Sequence, residues 1–276
     1  MHISKQIQNS ILGIFLLFIV IARAADAQFC ENDLTEQERE IVIANTKAGL
    51  YDSDQESFVV SNEIRVKWHV IGNTDNQIAI DAMILAYYLD ELNTAFNPIN
   101  IQFIADPVVH LIVDDDLWNS VGSTHDLRQM SSLPGAMNVY WAPQLQNGSL
   151  CGTSSFSFQF TQGIAMQTSC MGYTDVANVF IHEVGHYFDL FHTHEFECPE
   201  GNDCVFQGDM ICDTPPSPRL SFDMCVNPDT CQLWDPVDVQ CNTIDTPVCV
   251  ESYYDVGNNV INYMSYVPMQ CMSLFT

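Results

Sequence analysis

The segment HEVGHYFDLFHTHE, residues 182–195, restricts the fold more than any other stretch of this chain. It places four of the eight histidines within fourteen positions. His182 and His186 are four apart, so a helix carries both imidazoles on one face, about one turn apart, as two ligands of a single metal ion require. Glu183 lies next to the first and can reach a water at such an ion without being a ligand itself. His192 then imposes a break. At ~100° per residue a continuing helix would carry it roughly 240° past His186, away from the metal face. The helix therefore ends between them and the chain doubles back. Such a reversal calls for a residue with φ > 0, ordinarily Gly and next Asn or Asp. Asp189 stands at that place.

The rest of the chain sets the context. Its 276 residues suffice for a large core in one or two domains. Lys5, the apolar run Ile11 to Ala22 and the small-x-small site Ala25-Asp26-Ala27 read as a signal peptide over residues 1–27, because the run is shorter than the ~20 residues a spanning helix needs. No second run of that length follows, so the expectation is a secreted or periplasmic protein with no stable membrane association. Eleven cysteines suit an oxidising compartment, and the odd number leaves at least one outside any intrachain pair. Seven of them, Cys198 to Cys249, crowd into a Pro-, Asp- and Asn-rich stretch where bridges would substitute for a core. Lys and Arg number 8 against 35 Asp and Glu, a net charge of −27 that repels phosphate backbones and excludes a nucleic-acid partner. Oligomeric state is not legible.

Periodicity supplies the elements. Glu63 to Ile71 alternates as a half-buried strand does, Ala79 to Phe96 reads as a helix, and Ile99 to Ile104 as a strand. Further strands are expected at Met137 to Trp141, Thr153 to Phe160 and Gly163 to Thr168, then a helix over Asp175 to Phe188. Regular structure fades beyond His192. This order predicts an α+β fold, a mixed sheet packed on helices.

Three histidines, a glutamate and a turn between them resemble the metzincin zinc peptidases, whose pattern is H-E-x-x-H-x-x-G-x-x-H, with Asp189 in place of the Gly. Asn262-Tyr263-Met264-Ser265-Tyr266 resembles the metzincin Met-turn. GDMICDTPPSP, residues 208–218, with cysteines around it, is similar to the pappalysin-like branch, as is Cys271 followed by Phe275-Thr276. The resemblance implies a metzincin-type catalytic domain over 63–276. Its N-terminal subdomain would be 63–192, and its irregular, disulfide-rich C-terminal subdomain 193–276, a candidate for truncation. Residues 28–62 would be an N-terminal segment, a candidate short pro-region.

The expected chemistry is peptide-bond hydrolysis by a zinc-bound water on a peptide or protein substrate. His182, His186 and His192 hold Zn²⁺, and Glu183 takes the proton of the water and passes it to the leaving amine. By the same resemblance Met264 forms the floor of the site, Tyr266 donates a hydrogen bond to the transition state, and the strand around Thr153 to Phe160 pairs with an extended substrate. The uncharged segment Val267 to Gln270 would wall the pocket for an apolar residue after the cleaved bond. Asp209 and Asp213, in the Asp209 to Thr214 segment, offer hard oxygens for Ca²⁺. The competing reading is a secreted binding module that retains a structural zinc; the base Glu183 weighs against it. A thiolate at Cys30 could cover the open zinc position, unless it is bridged to Cys151 or Cys170. His194 and Glu195 are expected at the surface or behind the ligands, and His69 and His110 as packed or solvated histidines.

Overall fold

The computed structural model describes residues 28–30, 34–48, 63–170, 172–195, 208–212, 214, 220, 226–233 and 260–275. The proposed signal peptide and most of the cysteine-rich stretch lie outside them. Within this set the expected α+β class holds: a twisted mixed sheet is packed on helices.

The sheet has seven strands. Strand β2 (Glu63–Gly72) is its axis, flanked by β5 (Met137–Ala142) on one side and by β3 (Gln102–Ala105) and then β4 (His110–Val113) along the other. Beyond β5 come β7 (Ile164–Gln167), β6 (Leu150–Ser154) and β1 (Gln28–Cys30). Every pairing is parallel except β6 with β7.

Two long helices cover one face. Helix α2 (Ala82–Phe96) begins three residues later than the sequence pattern suggested, because the Asp81 carboxylate accepts from Met83 N at 2.8 Å and Ile84 N at 3.0 Å and so caps the helix there. Helix α5 (Tyr173–Tyr187) carries the histidine motif. Trp68 and Trp141 from the sheet pack against Phe180 of α5, with ring centroids 5.9 and 5.6 Å away, and Tyr88 of α2 stacks on Trp141 at 5.0 Å. This aromatic block packs against the helix that carries the histidine motif and gives it a rigid support. Truncating Trp141 would cost about 3–5 kcal/mol.

The other face is covered as well. Two short helices, α3 (Asp115–Asn119) and α4 (Thr124–Gln129), are capped by Asp114 and Ser123. Leu127 of α4 packs with Ile71, Tyr140 and Ala165 on that face. For this reason β2 alternates only in its first half and is buried on both sides from Trp68 to Gly72, a correction to the half-buried reading. Strand β3 starts at Gln102 and not at Ile99. Residues Asn97–Ile99 form a 3₁₀ turn closed by Asn100 at φ 59°, and Asn93 then clamps Phe103 through its backbone N–H and C=O.

The expected strand over Thr153 to Phe160 is corrected too. The strand is β6, ending at Ser154, where Ser155 N bonds Gly163 O and the chain enters a loop. Its outer side is already paired: Gln28 lies opposite Leu150 and Cys30 opposite Gly152. Helix α1 (Glu36–Lys47) follows β1, opened by a capping box in which Glu38 N donates to Thr35 Oγ1 and Thr35 N donates to the Glu38 carboxylate. Cys151 and Cys170 are bridged to each other, so neither is the partner of Cys30. A second bridge, Cys231–Cys271, ties a small hairpin of β8 (Val226–Asn227) and β9 (Gln232–Leu233) to the C-terminal segment.

Candidate metal centre

Helix α5 places His182 and His186 one turn apart and fully buried, with Glu183 equally buried beside them. The helix ends as its sequence requires. Asp189 stands at φ 64°, Asp189 N donates to His186 O at 2.9 Å, and Leu190 N donates to Gly185 O at 3.0 Å. That pair of bonds is a Schellman closure with aspartate at the left-handed position. The reversal returns His192 to the other two histidines, also fully buried.

Nε2 of His186 lies 3.0 Å from Nε2 of His182 and 3.0 Å from Nε2 of His192. The far nitrogens all face acceptors: His182 Nδ1 is 2.5 Å from Tyr263 O, His186 Nδ1 2.8 Å from Leu190 O, and His192 Nδ1 3.0 Å from Glu195 Oε2. Each Nδ1 therefore carries its ring proton, and each Nε2 turns a lone pair inward. Three converging lone pairs have no proton to share and repel one another unless a cation lies among them. Neutral imidazoles oriented from behind in this way fit zinc. Burial, and then the neighbouring His192 and His182, hold the His186 imidazole well below the usual histidine range, in keeping with a neutral ligand. Among the described residues this is the one group of three or more His, Cys, Asp or Glu side chains that converge closely enough to hold a metal.

Strand β6 runs past Glu183. A Cβ at Gly152 would lie 2.9 Å from Cγ and Oε1 of Glu183 and 3.1 Å from Met166 Sδ, so only glycine lets the strand pass this close. Gly185, inside the helix, plays a matching part below: a Cβ there would run into Met264 Sδ. Sequence reasoning missed both. The available signal for Gly185 was a glycine inside a strongly helical run, which costs ~1 kcal/mol and calls for a packing reason.

Met264 sits buried beneath the histidine helix, in a turn set by Asn262, whose Oδ1 accepts from Met264 N at 2.7 Å. The turn grips the end of the motif, with Thr193 N donating to Met264 O at 3.2 Å and the Thr193 and Ser265 hydroxyls 2.8 Å apart. Tyr266 is buried, its ring edge-on to His192 at 4.6 Å and to His194 at 4.8 Å. His194 is half-buried and stacked on His192, with centroids 5.1 Å apart. Glu195, expected at the surface or behind the ligands, is buried behind His192. In the uncharged segment, Val267 and Met269 turn into the core along α5, where Asn178 Nδ2 donates to Met269 O at 2.7 Å, while Gln270 is exposed.

The other candidates do not join this cluster. Asp209 is buried and its Oδ1 accepts from Ile211 N at 3.0 Å; Thr214 is at the edge of burial, and Asp213 lies outside the described residues. His69 and His110 contact each other through Nδ1 at 2.9 Å, and His69 Nε2 lies 3.0 Å from Asn138 Oδ1. They are packed histidines of the sheet, as expected.

Residues 136–276 match the model of a peptidase family described as Pregnancy-associated plasma protein-A. An extracellular metalloprotease of Colletotrichum graminicola is 25% identical over 228 residues, 77% of this chain and 72% of that protein. One from Arthroderma otae is 28% identical over 178 residues, 59% of this chain and 62% of that protein. Among solved structures, metalloproteinase-II from Bacteroides fragilis aligns over 49% of this chain and 44% of its own, with a TM-score of 0.32 and 11% identity.

Proposed function

Since the chain belongs to the peptidase family described as Pregnancy-associated plasma protein-A, the pappalysin-like metallopeptidases, we propose that it is an exported zinc endopeptidase whose base is Glu183. The observation that carries the reading is the trio of inward Nε2 lone pairs with a buried carboxylate beside them. His182, His186 and His192 hold the ion. Zinc bound there supplies Lewis acidity, which makes water a nucleophile near neutral pH and polarises a peptide carbonyl.

The chain's own groups do the rest. Glu183 takes a proton from the attacking water at a carboxylate oxygen and delivers it to the departing amine. Tyr266, beside His192, is the hydroxyl donor for the developing oxyanion. Strand β6 is the edge on which an extended peptide pairs. Strand β1 of the N-terminal segment takes the Leu150 to Gly152 part of that edge, so the peptide pairs beyond it, at Thr153 and Ser154. Export accords with the extracellular metalloproteases among its relatives. The Asp209–Thr214 segment is read as a calcium loop, so a calcium-selective chelator is expected to lower Tm before zinc is lost.

The test is metal analysis paired with cleavage of an unbiased peptide library. Wild type should hold one zinc and cut with an apolar residue after the scissile bond. Glu183→Ala should keep the zinc and lose hydrolysis, and His192→Ala should lose both. A Glu183→Ala protein that retains most of its kcat would remove Glu183 from the mechanism.

A further inference from the structure

Behind the third ligand, one carboxylate ties together parts of the chain far apart in sequence. Glu195 Oε2 faces His192 Nδ1 at 3.0 Å. Its Oε1 accepts from Leu34 N at 2.9 Å and lies 3.4 Å from Arg39 Nη2. Both Glu195 and His192 are buried, with side-chain exposures of 2% and 0%, while Arg39 remains 29% exposed. The separation between Leu34 and Glu195 is 161 residues.

We infer that Glu195 is a positioning residue of the metal centre, and that the N-terminal segment around Leu34 and Arg39 holds it in place. The physical grounds are three. An imidazole whose Nδ1–H is held by a carboxylate has its tautomer and ring plane fixed and its Nε2 made a stronger donor, which a neutral carbonyl acceptor does less well. His182 and His186 lean on backbone carbonyls, so His192 is the ligand of the three whose orientation depends on a side chain. A buried carboxylate also needs compensation on its other oxygen, and Leu34 N–H and the Arg39 guanidinium supply it. The N-terminal segment therefore contributes to metal binding without touching the metal. The inference rests on the proposed zinc site and assigns the support behind it.

Zinc affinity of the full chain, measured by chelator competition, tests this alongside the NMR signal of the His192 Nδ1 proton. Glu195→Ala should weaken zinc binding about 10–100-fold and abolish the deshielded Nδ1–H signal. Glu195→Gln offers a single acceptor oxygen to three donors, His192 Nδ1–H, Leu34 N–H and the Arg39 guanidinium, so its affinity should fall between wild type and Glu195→Ala. Arg39→Ala should produce a smaller loss with the signal kept. Wild-type affinity in Glu195→Ala, with zinc bound one to one in wild type, overturns the inference and leaves the peptidase reading standing. Wild type that binds no zinc sinks the peptidase reading, and the inference falls with it. Should Glu195→Ala fail to fold, wild-type affinity in Glu195→Gln is the overturning result.

Discussion

Asp189 shows how a departure from a pattern acquires its own use. The left-handed turn costs an aspartate on the order of 1 kcal/mol more than a glycine, which alone would make Asp189→Gly neutral or mildly stabilising. In the folded protein, however, Ser157 N donates to Asp189 Oδ1 at 2.7 Å and Ser157 Oγ to Oδ2 at 2.5 Å. The carboxylate thus fastens the end of the histidine helix to the loop that follows β6. Hydrogen bonds to a charged acceptor are worth ~1.5–3 kcal/mol when well made, less at an exposed position such as this. Asp189→Gly is therefore expected to destabilise by roughly 1 kcal/mol, Asp189→Asn by less, and Asp189→Val by about 3 kcal/mol or more, since a β-branched residue resists φ > 0. Denaturant titrations of the three variants will rank them. Gly152 belongs at the same scale. A methyl there meets Glu183 Cγ and Oε1 at 2.9 Å, so Gly152→Ala should keep its zinc while kcat drops on the order of 100-fold through a displaced base. Unchanged kcat would mean that the strand yields instead. The sequence announced Asp189 through its place in the motif, whereas Gly152 sits in a plain strand and its neighbour across space is 31 positions away in the chain.

At the scale of elements, legibility followed burial pattern and local caps. Helix α5 and strands β5 and β7 were readable because their apolar runs are long or bounded by turn residues. Strands β1 and β4 were not, being three and four residues long and held by pairing with strands remote in sequence. The two-faced cover of the sheet was hidden for a similar reason, since α3 and α4 are short and polar in sequence. That cover has a measurable consequence at His69. Burial is the main cause that lowers its pKa to about 4, with His110 and Lys67 adding to the shift and the Asn138 hydrogen bond opposing it; Tyr140 stacks on the ring at 4.2 Å. The folded state refuses a proton that the unfolded chain accepts near pH 6.5. The stabilisation is accordingly complete above pH 6.5 and is lost as pH falls toward 4, at up to ~1.4 kcal/mol per pH unit for one proton. His69→Gln should unfold more easily at neutral pH yet show a flatter decline between pH 6.5 and 4 in urea titrations. Parallel slopes would show that other groups carry the acid sensitivity.

The whole molecule joins a sheet-and-helix platform to a C-terminal segment through the metal centre. The histidine motif and Met-turn were legible in the sequence because ligand chemistry fixes their residue types, while the support that Glu195 draws from Leu34 could not be, as nothing local to either residue records the other. Zinc should therefore stabilise the fold as well as serve catalysis. At free zinc about 100-fold above Kd the linkage is ~2.7 kcal/mol, so removing the ion with a chelator is expected to lower Tm by roughly 5–10 °C, with recovery on readdition followed by calorimetry. A chelated protein that melts as wild type does would deny the metal any structural part. His182 rests on Tyr263 O, 81 residues downstream, and Thr193 rests on Met264. A ribosome makes the histidines first, and until the later turn has emerged they have no floor and no acceptor behind the leading ligand. The growing chain thus completes its histidine cluster only once the turn at Tyr263 and Met264 has been made.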